Sequence, residues 1–254
     1  MSVAEFPATF APTATTPTTT AAAAYRPRRT HLDRAAQGAV AGSVAAVPPI
    51  TALHLSATDP IEPSGWTISD YVVSLPHGTL LFALTTGALA VGASALAHGL
   101  GSVPETRGIR VLLQIWAAAL VIAAVFPTNL RGTPQNLSSN IHLYAGAVVF
   151  AALPIAAWRL ARWLRRTTGR AGGPTQRPSR RPAVVLSAAA LLAGGLSAAL
   201  IANRLPGVVG LPDLMLPPGI LQRVAGAAQI ALLTMSAIAL LRSGRRPADA
   251  VMSR

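Results

Sequence analysis

The sequence predicts an all-α protein, a polytopic transmembrane bundle of six helices with both termini cytoplasmic. Composition is the first reason: of 254 residues, 52% are hydrophobic and only 11% are charged, and the mean hydropathy is +0.48. Such a chain is too apolar to keep the whole surface of a folded domain wet. The second reason is arrangement. The apolar residues gather into six runs, each close to the roughly 20 residues a helix needs to cross the hydrocarbon core. The third is where the charge lies. The formal net charge is +13, and every basic residue is Arg. The Arg cluster between alternate apolar runs, as the positive-inside rule requires of cytoplasmic segments.

Residues 1–35 read as a disordered Ala/Thr/Pro-rich tail ending in a basic cluster, Arg26, Arg28, Arg29 and Arg34. No basic n-region followed by an apolar h-region marks them as a signal peptide. The transmembrane domain follows over 36–241. Its first span, 36–57, carries Gly38, Gly42 and Ala46 at four-residue spacing, a small-residue face that lets another helix approach closely. Ala and Gly are common throughout this chain, so the spacing alone is weak evidence. Pro48 and Pro49 should bend or break this span in its outer half.

The connection that follows holds Asp59, Glu62, Asp70 and His77 and no basic residue, as expected of an exterior loop. Trp66 and Tyr71 suit the headgroup layer, and the stretch around Ile68–Leu75 suits a position along the membrane surface. The second span, 79–100, descends to His98. A tight loop with Glu105, Arg107 and Arg110 leads to the third, 109–126. Pro127 stops that helix, because the residue before a proline is pushed out of the α region.

The fourth span, 141–160, opens at His142 and ends in Arg159, Arg162, Arg165 and Arg166, the start of a long basic loop. The fifth span, 183–203, repeats the small spacing at Ala190, Gly194 and Ala198. Pro217 and Pro218 suit the start of the sixth, 218–241. Residues 242–254 form a second basic tail. Only Arg131 and Arg204 fall in exterior loops, and Arg223 lies inside a span.

Several function classes are excluded or weakened by composition. The positive charge is distributed as a topology signal rather than as a groove for phosphates, so no nucleic-acid partner is expected. The absence of Cys removes thiol redox chemistry and Cys-ligated metals. A transmembrane haem would need His partners in facing helices, whereas only His98 lies near the inner end. No cofactor is implied. The expected surroundings are plasma-membrane lipids, and the small-residue faces leave room for a helix-mediated homo-oligomer.

Polar residues that are not topology signals gather at the exterior end: His54, Asp59, Ser69, Asp70, His77, Asn129, Arg131, His142, Asp213, Gln222 and Arg223. From these, Asp70, Asn129, His142, Gln222 and Arg223 are the candidates for a pocket that takes a lipid head group or small solute. Arg223 carries most information, since a guanidinium inside a span costs up to a few kcal/mol unless it is paired or snorkels. Asp70, Asp59 and Asp213 are its candidate partners. His54, His77, His142 and Asp70 could instead hold a metal for a lipid hydrolase, although no H-x-x-x-H spacing supports it. Ser69 with His77 or His142 would make a nucleophile and base, but a Ser in an Ile-Ser-Asp stretch more often caps a helix. A small-solute transporter is the third class. The Pro48–Pro49 break favours it, and the lack of a midplane charge or an inverted repeat opposes it.

The order of features resembles a known family. Ile68-Ser69-Asp70-Tyr71 before the second span, Phe126-Pro127-Thr128-Asn129 after the third, His142 opening the fourth, the basic inner loop, and Gln222-Arg223 opening the sixth are similar to the DUF998 family of bacterial and archaeal six-helix membrane proteins. The resemblance covers about 36–241 and implies a helical membrane protein with no established biochemical role. In that family the exit of the third helix reads F-P-T-D, and here Asn129 replaces the acid, which argues against a role that needs a carboxylate there. The alkaline ceramidase and adiponectin-receptor hydrolases offer a weaker likeness. They need paired His on the last helix, and no His follows His142.

Overall fold

The computed structural model describes residues 20–56, 64–130, 132–170, 181–203 and 217–244. Seven α-helices account for most of them: α1 (Thr20–Leu55), α2 (Ile68–Ser74), α3 (Gly78–Gly99), α4 (Arg107–Val125), α5 (Leu137–Arg170), α6 (Arg181–Ala202) and α7 (Pro218–Gly244). Two 3-10 turns, Leu100–Ser102 and Pro104–Thr106, join α3 to α4. No strand occurs among the described residues. Six of the helices, all but α2, are long and apolar enough to cross a membrane.

Those six form a ring in chain order. Each packs on its neighbours, α7 closes against α1, and α5 also reaches across to α7. The main core joins all six through Ala36, Leu96, Trp116, Leu153, Leu186 and Leu233, among others. Large apolar side chains such as Val91, Leu191 and Leu192 are exposed on the outer faces, the surface a bundle in hydrocarbon presents to acyl chains. The short α2 lies across one end and packs on α1, α3 and α7. Its own core, Leu53, Tyr71 and Val72, is separate from the main one.

Small residues let two helices come close. At Gly42, an added Cβ would lie 2.6 Å from the Ala88 carbonyl oxygen and 2.8 Å from Gly92 Cα, so α1 and α3 meet backbone to backbone. The small face expected on the first span is therefore its contact with α3. The stripe expected on the fifth span is only partly inward: Ala190 is buried and Gly194 lies against Pro154, but Ala198 is exposed.

Three expectations need correction. Pro48 and Pro49 do not break the first helix, which runs through them to Leu55. The last turn is held from outside, because Leu53 is fully buried against α2. The helix also begins at Thr20 rather than Ala36, so the second half of the expected disordered tail is helical, while its first part lies outside the described residues. Tyr71 is 1% exposed, so its side chain points inward from α2 and packs with Leu53 instead of offering its ring to the surroundings.

Pro154, inside α5, shapes the middle of the bundle. A proline has no N–H to offer the carbonyl four residues earlier, which here is Phe150. Gln229 of α7 supplies the missing donor: its Nε2 reaches the Phe150 oxygen at 3.2 Å and Ser197 Oγ of α6 at 3.2 Å. One residue earlier, the Val149 oxygen accepts from Trp116 Nε1 of α4 at 2.9 Å. Three helices thus donate or accept around a single turn of α5.

Candidate functional site

The polar residues of the α2 end are placed by the way α2 starts and stops. Thr67 is its N-cap, in a reciprocal capping box with Asp70. The Asp70 carboxylate accepts from the Thr67 N–H at 2.7 Å and from the Thr67 hydroxyl at 2.8 Å, and the Asp70 N–H donates to Thr67 Oγ1 at 3.3 Å. This box satisfies donors that a helix start leaves open. The cap is therefore Thr67, not Ser69. At the other end the chain turns sharply into α3 through His77, whose φ of 60° is left-handed. Gly78 must follow, because a Cβ there would sit 2.6 Å from the Tyr71 oxygen and 2.7 Å from the Val72 oxygen.

With Thr67 serving as cap, Ser69 is released to face the bundle. Its Oγ lies 3.0 Å from His142 Nε2 on α5. His142 Nδ1 lies 2.9 Å from the carbonyl oxygens of both Ala123 and Phe126, at the end of α4. Carbonyls only accept, so Nδ1 of the neutral ring carries the hydrogen and Nε2 is left to accept from the Ser69 hydroxyl. Phe126 has a free oxygen to offer because Pro127 ends the helix there, leaving extended backbone at the cap. Gln222 of α7 completes the arrangement. Its Oε1 accepts from the Ile68 N–H at 2.6 Å, and its Nε2 approaches Ser69 Oγ at 3.5 Å. The polar network runs in one direction, from Ile68 through Gln222, Ser69 and His142 to the carbonyls of α4. His142 is 9% exposed and Ser69 is half-buried, so the hydroxyl is the more accessible end.

A family model described as a protein of unknown function, DUF998, matches residues 40–239. This chain belongs to the DUF998 family. No curated protein and no solved structure matches it.

In this DUF998 protein the residues that carry the family resemblance fall into separate roles. His142 and Gln222 meet at Ser69. Arg223 packs beside them: its Nη1 donates to the Trp66 oxygen at 2.8 Å, and its guanidinium sits 4.9 Å over the Tyr71 ring. That cation–π contact desolvates part of the charge under α2. Of its expected partners, Asp70 is engaged with Thr67, and Asp59 and Asp213 lie outside the described residues. Asn129 donates to the Pro134 oxygen, within its own loop. Arg131 also lies outside the described residues.

The residues considered as metal ligands do not converge. His54 Nδ1 bonds the Ile50 oxygen of its own helix at 2.6 Å, with its ring edge-on to Tyr71. His77 is exposed at the left-handed turn, and His142 is engaged as described. Among the described residues no group of three or more His, Asp or Glu could hold a metal ion.

Sequence reasoning passed over two polar features. Gln229 is 3% exposed at the Pro154 turn, and the available signal was a proline in one span with an amide in another. The second is at the end opposite α2, where two grooves of about 920 Å³ and 960 Å³ open between α1, α3 and α4.

Proposed function

We propose that this DUF998 protein binds a polar head group or small polar solute at the α2 end of its bundle, with Ser69, His142 and Gln222 as the recognising groups. The observation that carries the reading is the 3.0 Å contact between Ser69 Oγ and His142 Nε2, which joins α2 to α5 beside the Gln222 amide. A hydroxyl, an imidazole and an amide together offer both donors and acceptors, with the Arg223 guanidinium packed beside them. Such a set suits a polar group with both donors and acceptors, such as a head group or a small polyol. Native mass spectrometry of the detergent-purified protein should reveal a co-purified small molecule that is lost from Ser69→Ala and from Gln222→Leu. Spectra indistinguishable between the parent and both variants would sink the reading.

One observation favours a second reading, acyl transfer or hydrolysis with Ser69 as nucleophile and no metal. The two carbonyls on His142 Nδ1 hold the ring in the tautomer that a general base needs. The outcome that would favour it is covalent labelling of Ser69 by a fluorophosphonate probe, abolished in His142→Gln. An unlabelled Ser69 leaves binding as the better account.

The α2 end is assigned to the exterior, and both termini to the cytoplasm, because Arg34, Arg107, Arg159, Arg162 and Arg166 all fall toward the other end of the bundle. The chain has no Cys, so single introduced thiols report sidedness directly. Gln135→Cys should react with a membrane-impermeant maleimide in intact cells, and Ser102→Cys only after lysis. The reverse pattern would invert the topology.

A further inference from the structure

The two grooves opposite α2 share His31, His98 and Gln114, so they form one continuous cleft between α1, α3 and α4. Its chemistry changes with depth. Where α3 ends and α4 begins stand His98 of α3 and Arg107 and Arg110 of α4, and Arg34, well inside α1, lines the same region. One turn further in come Ser94 and Gln114, with the Ser94 hydroxyl donating to Gln114 Oε1 at 3.3 Å, which leaves the amide N–H groups as donors. Beyond them the lining is an exposed apolar stripe, Val91, Ala118 and Val121. The positions 91, 94, 98 on α3 and 107, 110, 114, 118, 121 on α4 recur every three or four residues. Each set is therefore one stripe of an α-helix facing the same cleft.

Among the described residues no carboxylate lines the cleft. Arg110 gives one N–H to the Gly101 oxygen at 3.1 Å, while its buried Nε has no acceptor among the described residues. Cationic donors at the rim, neutral donors below and an exposed apolar stripe beyond match one kind of occupant. We infer that this cleft holds an anionic phospholipid, its phosphate at Arg34, Arg107 and Arg110 and an acyl chain along Val91, Ala118 and Val121. A free phosphate would meet the same Arg side chains and not the apolar stripe, so comparing it with the lipid separates the two sources. The site lies at the opposite end from Ser69 and His142 and does not depend on the function assigned to them.

The test is a lipid titration of the detergent-purified full chain, following the melting midpoint. Short-chain phosphatidylglycerol should raise the midpoint, whereas phosphatidylcholine of equal chain length and inorganic phosphate should not. Arg34→Gln/Arg107→Gln changes two exposed side chains and should weaken phosphatidylglycerol binding by about tenfold to thirtyfold. Arg162→Gln/Arg166→Gln removes the same charge from exposed positions on α5 and should leave binding within about twofold, less than one such charge near a bilayer contributes. If the α5 variant loses as much affinity, the attraction is diffuse and the site is wrong. Equal effects of the two lipids, or of phosphate and phosphatidylglycerol, would also overturn it. If Arg34→Gln/Arg107→Gln melts low without lipid, the single variant Arg107→Gln carries the same expectation with a smaller loss.

Discussion

Gly42→Ala lowers the stability of the bundle, and Gly42→Val lowers it further, by about 1–3 kcal/mol or more. A methyl group at 42 meets the Ala88 oxygen at 2.6 Å and Gly92 Cα at 2.8 Å. Both are backbone atoms of α3, so neither can rotate away, and relief requires α1 and α3 to separate along their whole contact. Separation would open the van der Waals packing that holds helices together where both surroundings and interior are apolar. Gly87 supplies the control. A Cβ there meets nothing within 4 Å, so Gly87→Ala should be neutral or stabilising by up to about 1 kcal/mol from helix propensity alone. Thermal unfolding of the two alanine variants in the same detergent checks this. Equal midpoints would show that the α1–α3 approach is looser than 2.6 Å implies.

The second large effect lies at the Pro154 turn. Gln229→Leu leaves the Phe150 oxygen without the donor that Gln229 Nε2 provides, inside apolar surroundings. The expected loss is about 1–2 kcal/mol, between the cost of an orphaned buried acceptor and the smaller average for interhelical hydrogen bonds in membranes. In the Pro154→Ala background the sign changes. The substituted residue has an N–H for the Phe150 oxygen, and the buried Gln229 Oε1, which has no hydrogen-bond partner among the described residues, is removed by the leucine. Gln229→Leu should then be neutral or stabilising. A double-mutant cycle measures the coupling directly. Additive effects would mean that the amide does not compensate the proline.

How much of this was legible in the chain differs from residue to residue. The six spans were, because hydrocarbon demands a minimum length of apolar helix. Each predicted span overlaps an observed helix, although α5 continues to Arg170 where the sequence suggested an end near 160. Pro127 as a stop and Pro218 as a start were also legible, since both act through local backbone restrictions. The small face at Gly38 and Gly42 could be seen, but not its partner. For the site, His142, Gln222 and Arg223 were singled out, whereas Ser69 was assigned to a cap that belongs to Thr67 two residues earlier. Asn129 shared the right end of the bundle without joining that contact.

The sequence by itself determined a membrane bundle of six helices, the order of its spans, the concentration of Arg at one end and membership of the DUF998 pattern. These follow from the dimensions of the bilayer and from local rules. Only the tertiary structure decided which faces meet. In a soluble helix the apolar side points inward, but here inward and lipid-facing surfaces are both apolar, so periodicity does not mark the interior. Helix rotation is instead set by small residues, by the proline turn and its amide, and by the cap of α2. That rotation brings Ser69 to His142 across 73 residues of chain, and it turns Arg34, Arg107 and Arg110 toward one cleft at the opposite end.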